Sequence, residues 1–430
     1  MSISPPAWSP PPGYEQAPSA VEGIAVWRPR PEKAPDLSPV AYTCPKCGAS
    51  TRYNVAAGGV ACEHCGYIAP AKTDLVGQDA QEFEFTLQTL SEAEQGWSVT
   101  RQELHCDRCG AVVSLTPGVL AAACPFCASN HVNLSAAPSD QLRPRFLIPF
   151  KIQPQVVQGI VQTWLRQGWF HPDDLALSTV VDRLAGMYLP FWTFDARIEA
   201  RWKAQVGYEQ QERYYDHGSK DWKTRTVIDW RWENGQVTLD TDDLLVDGSA
   251  HLSHVLLGRI KPFYLNELVQ YTPDFLAGWQ AQAYEVSLPD AWEQGKATMR
   301  EMARQACRGA IHSAHVRNFS MIADFAEETW RYILLPVYLA TYARQGKTYQ
   351  VMVNGQTGAI GGQKPVAWWK VWLAIAALLL PALGLGVVGL VLLPLGGVGI
   401  IPLLLGFVLL IGGGILSIKF YRDAVASETA

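Results

Sequence analysis

Hydrophobic positions along this chain follow two periods and then lose period altogether. Ala196, Ile198, Ala200, Trp202, Ala204 and Val206 alternate with Arg197, Glu199, Arg201 and Lys203. Successive side chains of a strand point to opposite faces, so the alternation predicts a strand with one covered and one wet face. Thr224, Thr226, Ile228, Trp230 and Trp232, set against Lys223, Arg225 and Arg231, predict a second strand over 222–232. Asn234-Gly235 carries the two-residue hairpin signal and predicts a turn into a third strand over 236–245. A last pair is predicted over 333–344 and 348–353, turning at Gln345-Gly346. Helical spacing appears in Val157, Ile160, Val161, Trp164 and Leu165, and again from Pro289 to His315 behind Leu-Pro-Asp. The phrases YLPFW at 188–192 and LLPVY at 334–338 read as two copies of one strand entry.

From Val371 to Ile418 the chain runs 48 residues without a charge, bounded by Lys370 and Lys419. At ~1.5 Å per residue this makes about 72 Å of helix against a hydrocarbon layer of about 30 Å, so two spans fit. Pro394, Gly396, Gly397, Gly399 and Pro402 interrupt the run and predict helices over about 369–393 and about 401–421, with Pro381 kinking the first. The intervening PLGGVG has no polar side chain, which leaves a re-entrant hairpin open beside two full crossings. Either way both ends emerge on one side, and Lys364, Lys370, Lys419 and Arg422 mark that side as cytoplasmic.

Eight of the nine cysteines repeat one pattern, CxxC, fourteen residues, CxxC: Cys44, Cys47, Cys62, Cys65, then Cys106, Cys109, Cys124, Cys127. A CxxC turn places two thiolates on one side of a knuckle, and two facing knuckles close a tetrahedral Zn²⁺ site. CPKCGA against CDRCGA and ACEHC against AACPFC, 62 residues apart, make this an internal duplication. Gly follows the second Cys in three knuckles, where a positive φ turns backbone N–H groups towards sulfur. Four sulfurs leave no coordination position for a catalytic water, so two structural Zn²⁺ ions are expected, with His64 and His105 as spacers. Thiolate ligands require a reducing compartment, in agreement with the charge argument.

Composition, 48% hydrophobic and 17% charged with a net −5, suits a globular protein with an anchor. Residues 1–40 hold ten prolines and no signal peptide, and are expected to form a disordered, partly polyproline tail. From Ala41 to Ser139 five Lys or Arg face nine Asp or Glu, a net of −4. Two tetrathiolate zinc centres carry it to about −8, which disfavours phosphate binding. Asp240, Asp242, Asp243, Asp247, His251 and His254 read as a solvated acidic turn, and His312 with His315 as helix histidines. Cys307 reads as a packed helix residue, and no GxxxxGK[ST] nucleotide loop occurs. The basic strand faces read as a wet sheet surface, with anionic lipid headgroups as the other candidate.

With its paired knuckles, the LIPF and YLPFW phrases, 268–286 and 334–362, the chain resembles bacterial membrane-anchored TFIIB-type zinc-ribbon proteins, sometimes labelled primosomal N′-like. The resemblance covers most of 41–365 and implies zinc ribbons, a β-rich middle domain, an anchor and no agreed enzymatic activity. It also implies recruitment of stress-response or flotillin-like scaffold partners. The expected fold class is α+β multidomain: a tail (1–40), two tandem four-cysteine zinc ribbons (41–70 and 102–137) joined by 71–101, a β-rich α+β middle domain (138–365), a C-terminal transmembrane helical hairpin (366–421) and a cytoplasmic tail (422–430). The expected function is a non-enzymatic adaptor or scaffold that presents a cytoplasmic protein-docking module at the cell membrane, both termini being cytoplasmic. Its partners are membrane lipid and a membrane-associated protein, with homo-oligomerisation open; the alternative is a membrane-tethered nucleic-acid-binding protein.

Overall fold

A computed structural model of the chain describes residues 43–71, 75–77, 80, 83–84, 102–115, 124–127, 129, 132–136, 142–172 and 184–429 apart from 219, 251, 345–346 and 395–396, together with two short N-terminal strands. Residues 1–41 and 42–430 form two compact units. In the first, Tyr14–Ala17 pairs antiparallel with Val26–Pro29, within the stretch expected to be a disordered, partly polyproline tail. The rest of that tail, the Gln345-Gly346 turn, and residues 85–101 of the connecting segment lie outside the described residues.

The larger unit is built on three long antiparallel strands: Ala185–Asp216, Asp221–Asp247 and His315–Arg344. The first is central, pairing with the second from Phe191↔Asp247 to Asp216↔Asp221 and with the third from Ala185↔Leu339 to Gly207↔His315. The predicted alternation is realised, since Ala196, Ile198, Ala200, Trp202, Ala204 and Val206 are all buried. The Leu288–Gly309 helix covers them with Ala291, Gly295, Met299, Ala303 and Cys307, and Ser287 caps its N-terminus by accepting from the Asp290 N–H at 3.4 Å. Beyond Val206 the covering helix is lost, and Tyr214, Tyr215 and Trp222 are exposed. Past Gly207 the first two strands continue as a two-stranded arm.

The turn predicted at Asn234-Gly235 does not form. The second strand runs straight through it, pairing Asn234 with Lys203 and Gly235 with Trp202, and the hairpin closes beyond the Asp216↔Asp221 pair, with Lys220 at φ 52°. Gly235 serves packing instead: a Cβ there would lie 2.8 Å from the Trp202 indole. The helix expected up to His315 stops at Gly309, and the third strand starts at His315, eighteen residues before the predicted start at 333.

YLPFW and LLPVY are indeed related, as partners. Tyr188 pairs with Pro336 and Pro190 with Leu334 across the central ladder. Around this crossing the middle domain repeats a β-α-β-β unit. One copy is Phe146–Leu147, Pro154–Arg166 and the first two long strands; the other is Gln280–Ala281, Leu288–Gly309, the third long strand and Lys347–Asn354. Each short strand joins the other copy's long strand, Phe146 beside Ile333 and Ala281 beside Tyr188. The backbone bonds repeat: Ile148 donates to Leu334 and Gln282 to Tyr188, Gly248 to Pro190 and Gly355 to Pro336. A strand residue's N–H and C=O point to the same side, so each proline's missing N–H falls where a flanking strand has ended and costs no ladder bond.

Two long apolar helices, Trp368–Leu392 and Ile400–Thr429, end the chain and pack as a hairpin. Both are long and apolar enough to cross a membrane. Gly399, Gly406 and Gly413 recur every seven residues; a Cβ at Gly406 would meet the Ala382 carbonyl at 3.0 Å and one at Gly413 that of Leu378 at 3.0 Å. Small residues thus let the two backbones approach closely. The first helix continues through Pro381, and the second extends eight residues past the predicted end at 421. That extension docks on the sheet: Lys347 and the Tyr349 hydroxyl reach Glu428 at 2.8 and 3.3 Å, and Trp368 does so at 3.3 Å.

Gly235→Val is expected to cost about 1–3 kcal/mol by overpacking against Trp202. Asn234→Ala, on an exposed strand position, should stay within about 0.5 kcal/mol. Thermal unfolding of the detergent-solubilised protein checks both; equal sensitivity at the two positions would restore the turn.

Candidate metal centres

Both four-cysteine groups assemble. In each, one thiol from every Cys lies within 4.8 Å of the others. Sulfur separations are 3.4 Å for Cys44–Cys65, 3.6 Å for Cys47–Cys62, 3.5 Å for Cys106–Cys127 and 3.6 Å for Cys109–Cys124. A disulfide requires about 2.05 Å, whereas a tetrahedron with metal–sulfur bonds of about 2.3 Å has edges of about 3.8 Å. The donor set therefore fits one tetrahedral metal ion per group.

The knuckles are made by the local backbone. Cys44 N–H donates to Ala49 O at 2.7 Å and Gly48 N–H to Cys44 O at 2.9 Å, and Cys106 repeats this with Ala111 and Gly110 at 3.0 and 2.8 Å. Gly48, Gly66 and Gly110 adopt φ of 73°, 70° and 77°, the left-handed conformation the sequence called for. Burial opposes ionisation of Cys44 and Cys106. Backbone N–H groups of Lys46 and Cys47 nevertheless carry the Cys44 thiol down to about 7, helped by the Cys65 and Cys47 thiols. Those of Cys109 and Arg108, with the Cys127 and Cys109 thiols, do the same for Cys106.

The two centres differ in how they are mounted. The first carries a three-stranded sheet (Arg52–Asn54, Gly59–Ala61, Ile68–Pro70) and touches the body through Tyr53, whose N–H donates to Ala277 O at 2.8 Å and whose ring lies 5.3 Å from Phe275. Its Cys47 and Cys65 are exposed. The second is part of the main sheet, because Val112–Leu115 meets Gln280–Ala281 through Ala281↔Ser114. Phe126, inside the CPFC knuckle, is 3% exposed, and the Thr341 hydroxyl and Gln350 amide hold its carbonyl at 2.9 and 3.0 Å.

Of the other candidates, only Asp242 and Asp243 are brought, with Asp195, into a group that could hold a cation among the described residues. His64 is exposed, and His105 pairs with Glu103 at 3.3 Å. His312 lies in the loop after the helix while His315, on the strand, reaches Glu209 at 2.9 Å, so neither is a helix histidine. His254 begins a short helix, and His251 is outside the described residues. Asp240 is exposed. Asp242 and Asp243 do approach Asp195, but a cation already serves that group. Arg331, 1% exposed, bonds Asp243, lies 3.7 Å from Asp195 and donates to the Thr193 hydroxyl at 3.2 Å. Sequence reading missed Arg331, whose only signal is a lone charge inside an apolar strand. Cys307 is fully buried on its helix, as expected.

Asp247 is separate and 7% exposed. Burial pushes its carboxyl up to about 7, with the Glu285 charge adding to the effect. Its counterpart in the other repeat is Asn354, also buried.

No family model matches the chain, and no solved structure matches it. The chain is similar to the uncharacterized protein YdjG of Bacillus subtilis (strain 168), 26% identical over 345 residues, which cover 77% of this chain and 92% of that protein.

Elemental analysis should find two metal ions per chain, and Cys44→Ser with Cys47→Ser should remove one. A chelator should strip them in two phases, the exposed first centre before the second; one phase would contradict the difference in mounting. A group whose folded pKa is raised contributes stability that is present below its unfolded pKa, about 4, and lost as pH rises through the folded value. Wild-type Tm should therefore fall more between pH 5 and about 8 than that of Asp247→Asn; parallel curves would place Asp247 in water.

Proposed function

We propose that the protein is a membrane-anchored adaptor whose two metal centres are structural zinc ions and whose long β-arm presents a docking surface to a protein partner on the cytoplasmic side. The observation that carries this reading is the arm. Its outer strand, Asp221–Asp247, has a ladder partner along one edge only among the described residues, and an open edge beside exposed aromatics is a template for a partner's strand. On the arm Trp222 is 59% and its cross-strand partner Tyr215 40% exposed. Strands at ~3.3 Å per residue give the 32-residue first strand a contour of about 100 Å, and its start lies in the region tied to the hairpin helices through Lys347 and Glu428.

Zinc is the metal the donor set favours: four thiolates in a tetrahedron, with no position left over for water or substrate. Cys44, Cys47, Cys62 and Cys65 would hold one ion and Cys106, Cys109, Cys124 and Cys127 the other. Bound there, zinc supplies folding energy and no reaction step. The resemblance to membrane-anchored TFIIB-type zinc-ribbon proteins supports the same reading. The cytoplasmic side is favoured by Lys370, Lys419 and Arg422 at the helix ends. Lys364 plays a different part: it is 7% exposed, its ammonium binds the Trp164 and Gln167 carbonyls at 2.5 and 3.0 Å, and burial lowers it to about 8.

Affinity purification of the solubilised full-length protein tests the proposal. A protein partner should co-purify with wild type and be lost with Trp222→Ala plus Tyr215→Ala, at unchanged zinc content and membrane fraction. Nuclease-sensitive nucleic acid recovered in place of a protein would favour the nucleic-acid reading.

A further inference from the structure

The hairpin does not leave the membrane boundary to its own ends. The loop after the Pro154–Arg166 helix lies against them: Trp169 sits 5.9 Å from Phe420, between Lys419 and Tyr421 where the charge-free run gives way to charges. The loop is held there. Ala367 N–H donates to Phe170 O at 2.9 Å, the Lys370 ammonium to His171 O at 3.0 Å, and the buried His171 ring meets Pro365 O at 3.0 Å. Gly168 makes the turn with φ +97°, and the His171 ring fills the space where its Cβ would stand, 2.6 Å away.

Despite this fixation the loop shows an aromatic ring outward. Trp169 is 50% exposed, comparable with Trp369 at 66%, Trp372 at 57% and Tyr421 at 44% on the hairpin ends. Beside it the helix opens a second apolar face. Val157, Val161 and Leu165 pack inward, while Val156, Gly159, Ile160 and Trp164 line a shallow groove of about 460 Å³ with Ile360. Trp and Tyr favour the headgroup layer, where one end of the ring is apolar and the other wet. Apolar surface that is costly in water is stabilising there.

We infer that the Gly168–His171 loop and the adjoining helix groove are an interfacial membrane contact, so that the body rests on the phospholipid surface in addition to being tethered through it. The inference rests on the reading of the hairpin as a membrane anchor. Neither the loop nor the helix belongs to that anchor in sequence, lying roughly 200 residues before it.

Full-length protein in vesicles of phosphatidylcholine and phosphatidylglycerol, carrying p-benzoylphenylalanine in place of Trp169, should form lipid adducts on irradiation. The same probe at Val156 should do so as well, which keeps the test open if one substitution disturbs the loop. Leu390, on the hairpin, is the positive control, and Ile322, 66% exposed on the third long strand, the negative one. Adducts at Leu390 with only the Ile322 background at both Trp169 and Val156 would overturn the inference and leave the anchor standing. No adducts at Leu390 would overturn the anchor, and the interfacial contact with it.

Discussion

The rest of the larger unit is mounted on one antiparallel crossing, Ala185–Asp195 against Thr329–Leu339. Its sheet is covered on both faces. Leu189, Phe191, Ile333, Leu335 and Val337 enter one cluster, and Tyr188, Trp192, Leu334 and Tyr338 enter the other. Each fully buried large side chain contributes about 1.5–3 kcal/mol. The two repeats exchange their short strands across this crossing, so neither can bury its core without the other. The second metal centre docks through Thr341 and the hairpin through the adjacent Lys347, both within a few residues of it.

This constraint explains what could and could not be read from the chain. Metal ligands were legible because CxxC spacing is a covalent restriction that survives any surroundings, and the hairpin because 48 uncharged residues have few other solutions. The alternation at 196–206 was legible because one sheet face there is covered by a helix and the other is wet. Tyr188–Phe194 and Ile333–Ala340 carry no alternation because both faces are buried, so the reach of the strands was hidden. Asn234-Gly235 misled because its local turn preference yields to a ladder in which Trp202 needs a glycine opposite. Arg331 was invisible because its partners Asp195 and Asp243 arrive from other strands.

The parts divide by position along the long strands. At the base lie the closed thiolate centres, the interlocked repeats and the apolar helices, all joined by backbone bonds or buried side chains. At the far end lies a two-stranded ribbon with exposed aromatics, whose outer strand pairs along one edge only among the described residues. Tight packing makes the base a stiff mount, and stiffness lowers the ordering cost of any partner that binds the arm. The two four-cysteine groups of this base could each hold a metal ion.

Hydrogen exchange on the full-length protein in detergent, followed before and after removal of the first metal, tests the single-mount account most directly. Amides of Leu189, Phe191, Ile333 and Leu335 should exchange slowest and stay protected when residues 44–70 lose protection. Faster exchange at those four amides on loss of the first metal, in step with 44–70, would show that the metal centre and not the strand crossing holds the molecule together.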